Sequence, residues 1–328
     1  LPPPAWTFPR PLALLVLLVR AGALGDLLLL RPAIAALRAR GHLVTLLAPS
    51  APAAALLGPD GVEAILPWDG AETAAILGGE ATHGPVADAL QAADVVVAFT
   101  RSTPALAALR MRARRLVPRD PAPPAGGPHA SRWLAGALKH LGIDSLPEPS
   151  PFRFTESEHG EAAALTASLP TGFLAVHPGS GSPAKNWPLD RFTATAGRLS
   201  PGRPWLLVLG PAEHDVIAPA GAVVARGWPL RTLGAALARA GLFLGNDSGV
   251  AHIAAACGTR TLALFGPTDP AQWAPVGRFV ATLRAPTGRV ADLEIDEVLA
   301  AAEELDRSAG SPERPGAGLP VPGASTGC

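Results

Sequence analysis

Asp247, Ser248, Gly249 and His252 stand close together in GNDSGVAHIAAACG, residues 245–258, between an apolar run and an Ala-rich stretch. Three kinds of chemistry use such residues. A serine beside a histidine base can be a nucleophile. Asp and His can ligate a metal. A Ser-Gly turn opening a helix presents free N–H groups to an anion. Ser248 and His252 are spaced i, i+4 and share a helix face. A plainer use is an N-cap for a buried helix, with His252 an interior hydrogen-bonded residue. Taken alone, the segment leaves cap and ligand site equally open. No motif supports a nucleophile, and no second ligand cluster supports a metal.

Four further stretches carry comparable residues. In RAGALGD, 20–26, Gly22 and Gly25 keep a turn open and Asp26 falls near a helix start, where the dipole favours a carboxylate. Asp26 also suits a simple cap. In HPGSGSPAKNWP, 177–188, Gly179, Ser180, Gly181 and Ser182 offer backbone and hydroxyl donors to an anion, and Lys185 adds a cation. The spacing is neither a P-loop nor a nucleophile elbow. In GPAEHD, 210–215, Glu213 suits a ribose diol, whereas His214 and Asp215 read equally well as surface residues. In LFGPTDPAQWAPVG, 264–277, Thr268 and Asp269 either contact a sugar or phosphate or turn the chain.

Each stretch follows an apolar run, so the positioning elements are strands. Residues 12–19 read as a strand buried on both faces, RAGALGD as a turn, 26–40 as a helix and HLVTLLA, 42–48, as the next strand. Further elements are a weak strand VEAILPW, a helix over about 84–93, a strand DVVVAF, a loop 118–130 and a capped helix 131–143. LPEPSPF, 146–152, is stiff, extended and the best linker. A second series follows: strands GFLAVHPG, PWLLVLG, GAVVARG, GLFLGND and TRTLALFGP, with helices LDRFTATAGRL, PLRTLGAALARA, SGVAHIAAACG and DLEIDEVLAAAEEL. Two β/α series imply two doubly wound domains with ligands beyond the carboxyl ends of the strands. The expected divisions are a disordered N-terminal extension, 1–11; a first Rossmann-like domain, 12–150; a second Rossmann-like domain, 151–306; and a disordered tail, 307–328.

Bulk properties narrow the function. The 328 residues balance 27 Lys+Arg against 27 Asp+Glu, so no global field recruits nucleic acid. The local run RMRARR, 110–115, is the exception. Cys257 and Cys328 are unsuited to a disulfide and have no zinc spacing, which fits a reducing, cytoplasmic setting. Arg10 followed by LALLVLLV and AGA imitates a signal peptide, but the continuing β/α pattern favours a buried strand. The glycines of RAGALGD miss the dinucleotide spacing, which disfavours an oxidoreductase.

Three motifs, RAGALGDLLLLRPAIAALR, HPGSGSPAKNWP and GNDSGVAHIAAACGTRTLALFGPTDPAQWAP, resemble in order and spacing the heptosyltransferases, glycosyltransferase family nine. The resemblance covers nearly all of 12–306. It implies a GT-B fold: α/β, two Rossmann-like doubly wound domains facing a central cleft. It implies an inverting, metal-free transfer of a heptose or related sugar from an ADP-sugar to a lipopolysaccharide core or similar acceptor, with no cofactor. By analogy Asp26 is the general base, and Gly25 in the same turn is counted among the donor-binding residues. Lys185 stabilises donor phosphate beside Ser180 and Ser182, Asp247 meets the donor sugar, Ser248 and Gly249 hold diphosphate, and Glu213 meets ribose. His252 completes the matched segment. The expected partners are the nucleotide sugar and a lipid-linked or lipopolysaccharide acceptor, with peripheral contact at the inner face of the inner membrane through Arg110, Arg112, Arg114 and Arg115. The LLLLRP segment after Asp26 departs from relatives with polar or His residues there. The competing expectation is a non-catalytic, two-lobed small-ligand-binding protein, which rests on fold alone.

Overall fold

The computed structural model describes residues 13–309. The expected extension 1–11 and most of the expected tail lie outside the described residues. The C-terminal helix, Ile295–Ala309, continues past residue 307, so residues 307–309 are helical and not the start of a disordered tail.

Two parallel sheets organise the chain. The first contains β1 (Leu15–Val19), β2 (Leu43–Ala48), β3 (Ala64–Pro67), β4 (Val95–Phe99) and β5 (Leu116–Arg119), in the order β3-β2-β1-β4-β5. The second contains β6 (Leu174–His177), β7 (Trp205–Leu209), β8 (Ala222–Arg226), β9 (Leu242–Asn246), β10 (Thr261–Phe265) and β11 (Val280–Arg284), in the order β11-β10-β9-β6-β7-β8. All paired strands are parallel. The order reverses between β1 and β4 in one sheet and between β6 and β9 in the other, and crevices open at such points.

Continuous apolar strands suit this arrangement because both sheet faces are covered. On β1, Val16 and Leu18 enter one buried cluster while Leu17 and Val19 enter another with Val86 and Leu90. On β10, Ala263 and Phe265 alternate in the same way with Leu262 and Leu264. Each fully buried branched or aromatic side chain contributes about 1.5–3 kcal/mol relative to exposure. One cluster runs from Leu30 and Ile34 of the first half through Phe152 to Ala251, Ile253 and Cys257 of the second, so an apolar core joins the halves.

Local departures from the expected elements have local causes. The helix expected over 26–40 is two helices, Leu24–Leu28 and Arg31–Ala39. Pro32 has no N–H for the carbonyl of residue 28, and its ring blocks continuation. The expected 118–130 loop begins inside β5. The helices Ala71–Leu77, Thr103–Arg110 and Glu156–Leu165 and the strand β11 were not expected. The Glu156–Leu165 helix is nonetheless announced by a capping box: Glu158 N–H donates to Thr155 Oγ1, and Thr155 N–H donates to Glu158 Oε2. Residues 146–152 have no regular secondary structure. They are pinned by Arg31, which donates to Ser150 O at 2.5 Å and stacks 4.2 Å from the centroid of Phe152.

Candidate functional site

The first part of the site is the turn after β1. Asp26 occupies the first turn of Leu24–Leu28, where its Oδ2 accepts from Ala23 N–H at 3.2 Å and its Oδ1 accepts from Arg20 Nη2 at 3.0 Å. Arg20 is buried, while the Asp26 side chain is 38% exposed and reachable by a substrate. The capping role of Asp26 therefore leaves it accessible: one set of lone pairs closes the turn, and the carboxylate still reaches solvent.

The second part gathers at the β6–β9 reversal. Lys185 Nζ donates to Asp247 Oδ2 at 2.7 Å, and Thr268 Oγ1 donates to the same oxygen at 2.6 Å. Three of the sequence-expected stretches thus meet on one carboxylate. Asn246 fixes the loop beneath them: its Oδ1 accepts from Trp187 N–H at 3.0 Å, and its Nδ2 donates to Pro178 O at 2.7 Å. Trp187 is itself buried, edge-on to Phe192 at 4.9 Å, with Nε1 donating to Leu293 O. Ser180 Oγ stands 2.7 Å from Ser182 O and 2.6 Å from Asn186 Oδ1, two acceptors that share its one proton, and it accepts from Ser182 N–H. Its hydroxyl shapes the loop from within. Ser248 is the N-cap of Gly249–Ala256, its side chain accepting from Ala251 N–H.

Glu213 folds back to accept from Gly210 N–H at 2.7 Å and lies against Gly179, where any Cβ would collide with it. The turns after β6 and β7 therefore share one surface. His214 and Asp215 pair with each other at 2.9 Å, both strongly exposed. Asp269 caps the short Pro270–Trp273 helix and stands 3.6 Å from Arg284, so it serves the turn and not the cluster.

The two parts touch. A Cβ on Gly25 would stand 3.2 Å from His252 Cδ2, and a Cβ on Gly249 would stand 2.8 Å from Leu24 Cβ. The Leu24–Leu28 and Gly249–Ala256 helices meet start to start; a side chain at Gly249 would force Leu24 aside, and one at Gly25 would press on His252. His252 lies in this seam, and its ring forms no hydrogen bond among the described residues. Burial pushes its pKa down to about 4; Asp247 and Asp26 oppose the shift, and His129 and Lys185 reinforce it. It is neutral at pH 7.

A second bridge crosses between the halves. His129 Nδ1 accepts from Ser131 N–H, and its Nε2 donates to Ala274 O at 3.0 Å. Burial is the largest cause of its lowered pKa. Gln272 Nε2 donates to Pro124 O at 2.8 Å and to Gly127 O at 3.3 Å. The Pro-rich 118–130 segment, expected only as a loop, is therefore a strap from the first sheet to the second half.

Residues 86–302 match the sequence model of glycosyltransferase family 9 (heptosyltransferase). The chain belongs to that family. It is 28% identical over 151 residues to lipopolysaccharide heptosyltransferase 3 of Escherichia coli, a match spanning 42% of this chain and 44% of that protein. The fold is similar to a glycosyl transferase family 9 structure from Veillonella parvula, with TM-score 0.74, 20% identity, and coverage of 90% of this chain and 97% of that one. It is also similar to E. coli ADP-heptose lps heptosyltransferase II, with TM-score 0.72, 19% identity, and coverage of 90% and 100%. The family 9 chain thus has the expected fold, two Rossmann-like domains of GT-B type about a cleft.

Sequence reasoning missed Arg20, Asn246, His129 and Gln272 as parts of this site. Arg20 and Asn246 sit inside motifs that were quoted for other residues. His129 and Gln272 act only through contacts between distant segments, for which a single sequence carries no local signal.

Proposed function

We propose that this chain is an inverting glycosyltransferase that moves a heptose or related sugar from an ADP-sugar to a lipopolysaccharide core or similar glycan acceptor. The observation that carries this reading is the seam: the Asp26 turn and the Ser248–Gly249 helix start stand in contact across the cleft.

Each side then has one task. Asp26 takes the proton of the acceptor hydroxyl as the acceptor oxygen attacks the anomeric carbon. The bond from that carbon to the diphosphate oxygen breaks on the opposite face, and ADP leaves with the electron pair. Lys185 and the free N–H groups of the Gly249–Ala256 helix meet the charge that develops on the leaving diphosphate. Asp247 holds Lys185 in place, as their 2.7 Å contact supports, and meets the donor sugar. Glu213 is the ribose contact. Ser180 and Ser182 order the loop that carries Lys185, and Gly25 and His252 form the wall between base and donor. Closing the cleft brings these groups together and excludes water.

Lys185 and the helix start supply the positive charge, so the reading requires no divalent ion and no cofactor. The proposed units are an acceptor-side domain over 12–150 and a donor-side domain from 151. The proposed setting is cytoplasmic, and no described helix is long and apolar enough to cross a membrane. Peripheral membrane contact is supported by Met111, 84% exposed, beside the exposed Arg110. Arg112 and Arg115 support it less, because they donate to backbone carbonyls of Glu80 and His140.

Asp26→Asn tests the reading. Its transfer from ADP-heptose to heptose-free lipopolysaccharide is expected to fall by about 10³-fold, within the range for a general base. ADP-heptose binding by calorimetry is expected to persist. Transfer at the parent rate refutes the base. In parallel, loss of parent activity in EDTA, restored by a divalent ion, refutes metal independence.

A further inference from the structure

Arg20 follows β1 directly and is only 2% exposed. It sits among apolar neighbours, with Phe99 5.9 Å from its guanidinium carbon. Burying a guanidinium is costly unless its donors are paired, and here the pairing is incomplete: Nε is buried without a partner. An apolar side chain like those of Leu17 and Val19 would fill the same place without that cost.

What the charge gains is a two-way connection. Nη2 donates to Asp26 Oδ1 at 3.0 Å, and Nη1 donates to Pro121 O at 3.0 Å. Asp26 is thereby gripped on both oxygens, since Ala23 N–H holds the other. Pro121 lies in the strap whose Pro124 and Gly127 carbonyls accept from Gln272 and whose His129 donates to Ala274 O. One planar fork therefore ties the carboxylate to a segment anchored on the donor half.

We propose that Arg20 is a positioning residue for Asp26, aiming its carboxylate and keeping it in register with the donor half through residues 121–129. The inference rests on the reading of Asp26 as the base. Arg20 stays charged and moves no proton; it acts through Asp26. Lysine keeps the charge but not the fork, so it cannot serve both partners with the same geometry.

The test uses the full chain with ADP-heptose and heptose-free lipopolysaccharide. Arg20→Met, Arg20→Lys, Asp26→Asn and the double variant Arg20→Met/Asp26→Asn are compared for kcat, donor affinity by calorimetry, and thermal melting. Arg20→Met is expected to lower kcat by about 100-fold, the scale of a misplaced catalytic group, with ADP-heptose affinity unchanged. Arg20→Lys is expected to recover part of that loss. The double variant is expected to be no slower than Asp26→Asn alone, because residues acting as one unit are not additive. Losses that multiply in the double variant, or donor affinity that falls in step with kcat, overturn the proposal. If Arg20→Met does not fold, the same cycle with Arg20→Lys decides the question. Asp26→Asn at the parent rate removes the base reading and this inference with it. A slow Asp26→Asn beside a fast Arg20→Met removes the inference alone.

Discussion

The proposed donor-side cradle and the proposed acceptor-side turn are built by opposite means. The cradle is a dense polar lattice: Lys185, Thr268 and Asp247 share one oxygen, and Asn246 staples two strand ends beneath them. The acceptor turn holds one carboxylate with one buried cation and one backbone N–H, set in apolar surroundings. A diphosphate is large, multiply charged and common to every donor of its class, so many fixed donors suit it. A base must lose and regain a proton while an acceptor hydroxyl approaches, so one exposed carboxylate with its orientation fixed from behind suits that task.

Beside the roughly 10³-fold loss expected for Asp26→Asn, the effect that most sharpens this contrast is on the cradle. Lys185→Ala is expected to lower kcat by about 10²-fold, comparable to removing one preorganised donor to a developing charge. It also leaves Asp247, with a side chain 9% exposed, without its cation, so weaker ADP-heptose binding is expected as well. Asp26→Asn is expected to spare donor binding. Calorimetry on the two variants separates the sides: equal loss of donor affinity in both breaks the division of labour.

The seam between the two regions makes a smaller, pH-dependent prediction. An unfolded chain protonates His252 near pH 6.5, whereas the folded chain does so only near 4. Between these values the unfolded state binds more protons, so the stability gained by keeping the ring neutral is present above pH 6.5 and lost as pH falls toward 4. The loss from this residue is about 3 kcal/mol. The stability of the parent relative to His252→Leu should fall as pH falls across that window in melting curves of the two. A constant gap between them would show that the seam tolerates an imidazolium.

Much of the cradle was legible because its residues are local. Gly179 to Lys185 and Asp247 to His252 are each contiguous, and each follows a strand whose apolar run marks it. The fold was legible for the same reason, since β/α alternation is a pattern of neighbours. The weakly amphipathic Thr103–Arg110 helix and the short edge strand β11 lack so strong a pattern. Pro32 divides a helix that periodicity alone would continue. The acceptor turn was legible only in Asp26. Its support comes from Arg20 and the strap, and a contact such as Arg20 to Pro121 spans 101 positions. Spacing rules do not reach that far.

The smallest expected effect concerns Asn246, which is fully buried and satisfied on both ends of its amide. Asn246→Ala leaves Trp187 N–H and Pro178 O without partners, a loss of about 2 kcal/mol. Asn246→Asp separates hydrogen bonding from shape. Its carboxylate still accepts from Trp187 N–H but cannot donate to Pro178 O, and it buries a charge beside that carbonyl. Asp should therefore be at least as destabilising as Ala in denaturant titrations, despite its near-identical size. If Asp matches the parent, the loop after β6 is held by packing of Trp187 on Phe192 and not by the staple. The cradle would then be no more polar in its construction than the acceptor turn.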